Sequence, residues 1–278
     1  MSADYGRWFR ATPDSSVLAR PRLLARTLIA AADLDERIDY YERLQGRPAD
    51  LRMPIPDFGG LELAAVGGLL IIASERPFTP IQRQTAYSLI VPSLTSALRR
   101  LAELGGSVLE PPEPIVPGAR ARVRYPDGSV AELVEHRPRS GERPRAAANG
   151  GAEPWQRPGA PRLLARREVP RGGLAAALGF YTGILGAAAQ RIRPGRAAGT
   201  ELAVIGNLLL VAPATDRRGS AGPAFALLPG APGWTDPDLT RAGRPAQLAA
   251  RLVTLSDGHA AEAWGTPEQL DVLPETVR

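Results

Sequence analysis

The chain of 278 residues has no cysteine and no lysine, and only two histidines. Without cysteine there are no disulfides, no thiolate nucleophile and no zinc–thiolate site. Without lysine, all 34 basic residues are arginine, a pattern that fits GC-rich coding, and the net charge is a modest +5. Aromatic residues make up 5% of the chain. The densest arginine run, His136-Arg137-Pro138-Arg139 through Arg143-Pro144-Arg145, holds none. Nucleic-acid binding wants basic residues on one face beside stacking rings, so this Pro- and Gly-rich stretch reads as a solvated linker. The longest apolar run, Leu63–Ala73, is far shorter than the roughly 20 residues of a membrane span. The first residues carry charges where a signal peptide needs an apolar core. The expectation is a cytoplasmic protein with no nucleic-acid or membrane partner.

What is present is a repeat. Pro21–Arg26 reads PRLLAR, and the same six letters return at Pro161–Arg166, 140 positions later. That displacement is too long for a solenoid and implies a duplicated module. Other matched pieces keep the same order: Tyr40–Gly46 with Phe180–Gly186, then Glu62–Leu70 with Glu201–Leu209. Finally Pro126-Asp127-Gly128 and Glu132 match Ser256-Asp257-Gly258 and Glu262. The spacing contracts late, so the second copy is shortened. The organisation expected is an extension over 1–20, a first module over 21–136, a linker over 137–160 and a second module over 161–278.

Within the first module, Leu23–Ala30 reads as a buried strand interrupted by Arg26. Asp33 and Glu36 form a capping-box pattern for a helix that Gly46 ends, with Leu34, Ile38, Tyr41 and Leu44 on its buried face. Strands at Leu61–Val66 and Leu69–Ser74 flank a Gly67-Gly68 turn, and Thr85–Val91 is a further strand. Ser93 caps a second helix running to Leu104. Ala121–Tyr125 and Val130–Glu135 flank Pro126-Asp127-Gly128 as a hairpin. The order is βαβββ followed by a second, partial βαβββ unit. In the second module the helix from Gly173 lacks the Asp cap, and Pro229–Trp234 breaks the chain where the first module has its Ser93 helix.

The phrase Asp33-Leu34-Asp35, Tyr40-Tyr41, Gly46, after a strand and before a closing Asp127-Gly128 with Glu132-Leu133, resembles the vicinal oxygen chelate superfamily. Glyoxalase I, extradiol dioxygenases and bleomycin-resistance proteins belong to it. The resemblance implies an α+β fold: tandem βαβββ modules forming curved mixed sheets with helices outside, the second module degenerate. It also implies a divalent metal held on the concave face by His, His or Glu, and Glu. At the matching positions this chain has Arg26, Ala86 and Glu132, and in the second module Arg166 and Glu262. His136 and His259 fall at neither position. One carboxylate is too few donors for a divalent ion, so no metal and no cofactor is expected.

Arginine in place of the ligand histidine, with the glutamate kept, occurs in both copies. A guanidinium there can replace the metal's charge and bind the glutamate through a bidentate fork. Two readings stand: a structural ion pair plugging a dead site, or Arg26 orienting a ligand with Glu132 as its anchor or as a general base. Gln84 and Ser88 share a strand face and are further ligand-binding candidates, as are Arg166, Glu262 and Trp264; Tyr87 and Tyr41 read as core. Trp234 is a candidate for a cavity mouth or a surface anchor. The function expected is a metal-independent binder of a small molecule, of the bleomycin-resistance type. The alternative is a metal-free isomerase, lyase or cyclase of secondary metabolism, with Glu132 as base and Arg26 as oxyanion stabiliser. A duplicated chain can complete its pseudo-dimer internally, as a monomer or within a homodimer.

Overall fold

The computed structural model describes residues 8–10, 14–55, 59–115, 118–138, 142, 160–192, 199–214, 222–228, 249–256, 258–265, 270 and 276–277. The chain divides into two compact units, with the break in sequence after residue 156. No helix among the described residues is long and apolar enough to cross a membrane.

Unit one has strands β1 (Trp8–Phe9), β2 (Arg22–Ala30), β3 (Leu51–Ile55), β4 (Leu61–Val66), β5 (Leu69–Ser74), β6 (Thr85–Ile90), β7 (Ser107–Ile115), β8 (Gly118–Arg124) and β9 (Val130–Glu135). Its helices are α1 (Leu34–Gln45), α2 (Pro80–Gln84) and α3 (Leu94–Glu103). The described strands form one mixed sheet in the order β1-β3-β4-β5-β2-β6-β9-β8-β7. Strand β2 runs parallel to β5, and β6 runs parallel to β9, while β2 and β6 meet antiparallel at the centre. The sheet is therefore two βαβββ repeats, β2-α1-β3-β4-β5 and β6-α3-β7-β8-β9, joined through their first strands. The second repeat is complete, because β7 supplies the strand that the sequence reading left out.

Local chemistry explains the elements. Gly67 adopts φ +58 in the β4–β5 turn, as a two-residue hairpin turn requires. On α1, Leu34, Ile38, Tyr41 and Leu44 are all buried, the expected stripe. Its start differs from expectation: Asp33 closes a 3-10 turn over Ala31–Asp33 that runs straight into α1, and Ala30 ahead of that turn makes no side-chain cap. The helix ends at Gly46 in the left-handed region, where the Arg47 amide bonds back to the Glu42 carbonyl at 3.1 Å. On α3, the Ser93 hydroxyl accepts from the Ser96 amide at 3.3 Å, and Glu135 Oε2 on β9 accepts from the Leu94 amide at 2.5 Å. A carboxylate at the helix N-terminus also complements its dipole.

The N-terminal extension is part of the sheet edge, since β1 pairs with β3. A buried turn at Ser15 then ties it to the end of β9: Ser15 Oγ donates to the Val91 carbonyl at 2.7 Å and accepts from the His136 amide at 3.1 Å.

Unit two repeats the plan with β10 (Arg162–Glu168), α4 (Leu174–Leu185), β11 (Gln190–Ile192), β12 (Glu201–Ile205), β13 (Leu208–Ala212), β14 (Phe225–Leu228), β15 (Ala249–Leu255), β16 (Ala260–Gly265) and β17 (Thr276–Val277). Apart from β1, which has no counterpart among the described residues, the order β11-β12-β13-β10-β14-β16-β15-β17 matches unit one up to the last strand. There β17 pairs parallel with β15, whereas β7 pairs antiparallel with β8. Pro229–Trp234 lies outside the described residues.

Candidate functional site

Strand alternation decides which side chains meet on the inner face of unit one. Leu24 on β2 is the register partner of Ser88 on β6, Ser88 of Glu132 on β9, and Glu132 of Arg122 on β8. These four form one row across four adjacent strands. Two residues along β2 stands Arg26, and two residues along β8 stands Arg120. All six line a cavity of about 90 Å³. Its remaining wall is Gln82, His136 and aliphatic residues from β2 to β9, among them Met53, Leu63, Ile72 and Val134.

Arg26 and Glu132 do meet, though without the bidentate fork expected from sequence. Arg26 Nη1 lies 3.7 Å from Glu132 Oε2, an ion pair beyond hydrogen-bond length. Glu132 Oε1 instead accepts from Arg120 Nη1 at 3.1 Å and Arg122 Nη2 at 3.5 Å. Both arginines reach on to β7: Arg122 Nη1 bonds Glu110 at 2.5 Å, and Arg120 pairs with Glu110 and Glu113. The Arg26 side chain is 5% exposed, yet its Nε and Nη1 have no hydrogen-bond partner among the described residues. Ser88 Oγ, fully buried, has none either. Burial holds the Arg26 guanidinium below its ordinary pKa. The charges of Arg122 and Arg120 push the same way, and Glu132 opposes them.

The exposures set the local charge. Arg26 and Arg122 are each 5% exposed and Glu132 16%, whereas Glu110 and Glu113 are 37% and 43% exposed and screened by water. The buried part of the cluster is three guanidiniums around one carboxylate. That donor set does not suit the divalent metal that the sequence resemblance implies: arginine is no ligand, Ala86 is exposed and carries no donor, and three cations repel a fourth. Among the described residues no group of three His, Asp or Glu side chains is placed to hold a metal ion.

Other candidates fall as follows. Gln84 is not on the strand; it ends α2 and is exposed, and Gln82, one turn-half earlier, lines the cavity instead. Tyr87 is buried and stacks on Tyr125 with centroids 6.5 Å apart, away from the cavity. Trp234 lies outside the described residues. The sequence reading missed Arg120, Arg122 and His136. The signal was there: Arg120 and Arg122 alternate with alanine and valine, and His136 continues the 132, 134 face of β9.

Unit two carries the same row with different contents. Leu164, Ala226, Glu262 and Leu252 are successive register partners. Arg166 Nε bonds Glu262 Oε2 at 2.6 Å, and Trp264 Nε1 donates to that oxygen at 2.9 Å. Arg166 Nη2 bonds Glu168 at 3.0 Å. Trp264, in the place of Val134, is buried in a cluster with Leu164, Leu202, Val204, Leu209 and Val211. Among the described residues this ion pair is hydrogen-bonded from both sides, and Trp264 packs into the aliphatic cluster of the same face.

No family model matches the chain, and no curated protein does. Among solved structures it is similar to an uncharacterised protein from Methanosarcina mazei, at 34% identity over 42% of this chain and 92% of that one, with a TM-score of 0.37. It is similar to the 2,3-dioxygenase LapB from Pseudomonas sp. KL28, at 15% identity over 96% of this chain and 98% of that one, with a TM-score of 0.47. A glyoxalase I mutant from Zea mays is 15% identical over 90% of this chain and 95% of that one, with a TM-score of 0.29.

Proposed function

For a chain with the paired βαβββ fold of the vicinal oxygen chelate superfamily, we propose that unit one is a metal-independent small-molecule binding module. Its ligand occupies the cavity between β2, β6, β8 and β9. The observation that carries this reading is the contrast between the two inner faces. Among the described residues, unit two packs Trp264 into an aliphatic cluster and hydrogen-bonds its arginine; unit one keeps Val134, a cavity, and an arginine with two unbonded nitrogens. Buried donors left unbonded destabilise a protein by about 1–3 kcal/mol each, a cost that a bound acceptor offsets. A concave, mostly apolar pocket with a few convergent polar groups is the usual form of a small-molecule site.

The enzymatic alternative has less support. As a general base Glu132 needs an oxygen open to substrate, and both of its oxygens face guanidiniums.

The test is a thermal-shift screen of a chemically mixed metabolite library, run on the full chain and on Val134→Trp, which copies the indole of unit two. Compounds that raise the melting temperature of the parent in a concentration-dependent way, and leave Val134→Trp unchanged, support the reading. A library with no such compound, or equal shifts in both proteins, overturns it.

A further inference from the structure

We infer that the ligand of this cavity is an aliphatic carboxylate, its head on Arg26 and Ser88 and its chain along the inner face of β2 to β5. The inference rests on the binding reading above and names the chemistry of the ligand.

The polar end comes first. Arg26 is the one member of the arginine cluster whose charge meets a carboxylate only at 3.7 Å. Arg120 and Arg122 each have hydrogen-bonded carboxylates on both sides, from Glu132 and from β7. Arg26 therefore holds the uncompensated charge and two buried unbonded nitrogens, where Arg122 leaves only its Nε without a partner. A ligand carboxylate answers both needs, because hydrogen bonds between ionised partners are about twice as strong as neutral ones. A neutral carbonyl answers only the second. Ser88 Oγ, also unbonded, sits on the adjacent strand beside Leu24 and supplies a neutral donor to the same head group.

The body of the ligand follows from the wall. The apolar lining is leucine, isoleucine, valine and one methionine, and no phenyl, phenol or indole ring lines the cavity among the described residues; the one ring there is the polar His136 imidazole. Flat aromatic ligands gain from ring-on-ring contact, which this wall offers at His136 alone among the described residues. A flexible or branched alkyl chain packs against aliphatic side chains without such a partner. Leu51, Leu61, Leu63 and Ile72 extend that surface from Arg26 toward the β3 side of the sheet. Head and body thus occupy opposite ends of one cavity, as an amphipathic acid requires.

The experiment is isothermal titration of the full chain with octanoate, octanamide and 4-phenylbutanoate, repeated on Arg26→Met and Val134→Trp. Expected is one octanoate per chain, bound at least tenfold tighter than octanamide. Arg26→Met should lose at least tenfold for octanoate and little for octanamide, with its circular dichroism spectrum unchanged. Glu132 retains Arg120 and Arg122 in that variant, so the fold is not at issue. Equal affinity for octanoate and octanamide, both lost in Val134→Trp, overturns the carboxylate and leaves the binding reading standing. Tighter binding of 4-phenylbutanoate than of octanoate overturns the aliphatic body. No heat from any of the three with the parent protein overturns the ligand class, while the library screen judges the binding reading separately.

Discussion

Arg26 approaches Glu132 to 3.7 Å, and Arg166 approaches Glu262 to 2.6 Å, although the two pairs occupy the same register positions of a duplicated sheet. Arg26 pairs with Leu70 across β2 and β5 as Arg166 pairs with Leu209 across β10 and β13. The difference comes from β8. Arg122 competes for Glu132, whereas its counterpart Leu252 leaves Glu262 to Arg166 and Trp264.

That difference predicts opposite responses to one substitution. Arg166→Met strips a buried carboxylate of its guanidinium and should destabilise the β10 region by about 3–5 kcal/mol. Arg26→Met removes a poorly bonded buried charge and leaves Glu132 with two arginines, so the β2 region should change by about 1 kcal/mol or less. Hydrogen exchange of the β2 and β10 amides reads each unit separately. Equal losses at both strands would contradict the assignment of roles.

Trp264→Val should empty the inner face of unit two. The loss expected is about 3 kcal/mol, from a large aromatic removed from a packed cluster. Added indole should restore part of it, since apolar cavities of this kind take apolar guests. Denaturant midpoints with and without indole check this; no rescue means that the cluster collapses into the space.

Gly118→Ala should destabilise unit one by about 3 kcal/mol. The residue holds φ +111, and a Cβ there would sit 1.8 Å from the Glu135 carbonyl oxygen. Gly128, at φ +82 but with open space around it, should cost about 1 kcal/mol on the same substitution. Urea titration of the two variants gives the comparison. A Gly118→Ala protein as stable as its parent would mean that β8 and β9 shift apart easily.

Asp14 sets an acid limit on the Ser15 turn. Its side chain accepts from the Ser16 amide at 2.9 Å, and the hydrogen bonds to Ser16, followed by the charge of Arg137, hold its carboxyl below the usual range. A depressed carboxyl contributes stability above its unfolded pKa, which is lost as the pH falls through the folded value. Exchange of the Ser16 amide, corrected for intrinsic rate, should quicken below about pH 4. Asp14→Asn should remove that pH dependence. An unchanged profile in the variant would place the acid sensitivity elsewhere.

Much of this was legible in the letters, for identifiable reasons. The β4–β5 hairpin and the Ser93-capped α3 follow from turn and capping chemistry that neighbours cannot override. The duplication was visible because the repeat printed it twice, but the letters alone make Thr85–Val91 the last strand of the first βαβββ unit, whereas β6 opens the second. Strand β7 was not, because Ser107–Ile115 contains Pro111, Pro112 and Pro114. Prolines are tolerated there only because β7 is an edge strand with irregular register against β8. Pro54 hid β3 in the same way. Arg26 and Glu132 were found by position, but their spacing was not, since it depends on Arg120 and Arg122. Those side chains are distant in sequence from Arg26, and only strand pairing brings them to it. Gln84 was misplaced because α2 interrupts the run that reads as strand.

The filled face of unit two also bears on dose and response. A duplicated chain with two open pockets can pass information between them, and its uptake of ligand can bend into a threshold. If unit one alone takes ligand, as proposed, with Trp264 buried in the second unit's cluster, saturation should follow a plain hyperbola with a Hill coefficient of about 1 per chain. On the binding proposal, such a protein would buffer its ligand, in proportion while the ligand is dilute and levelling off as the site fills, and would not act as a switch.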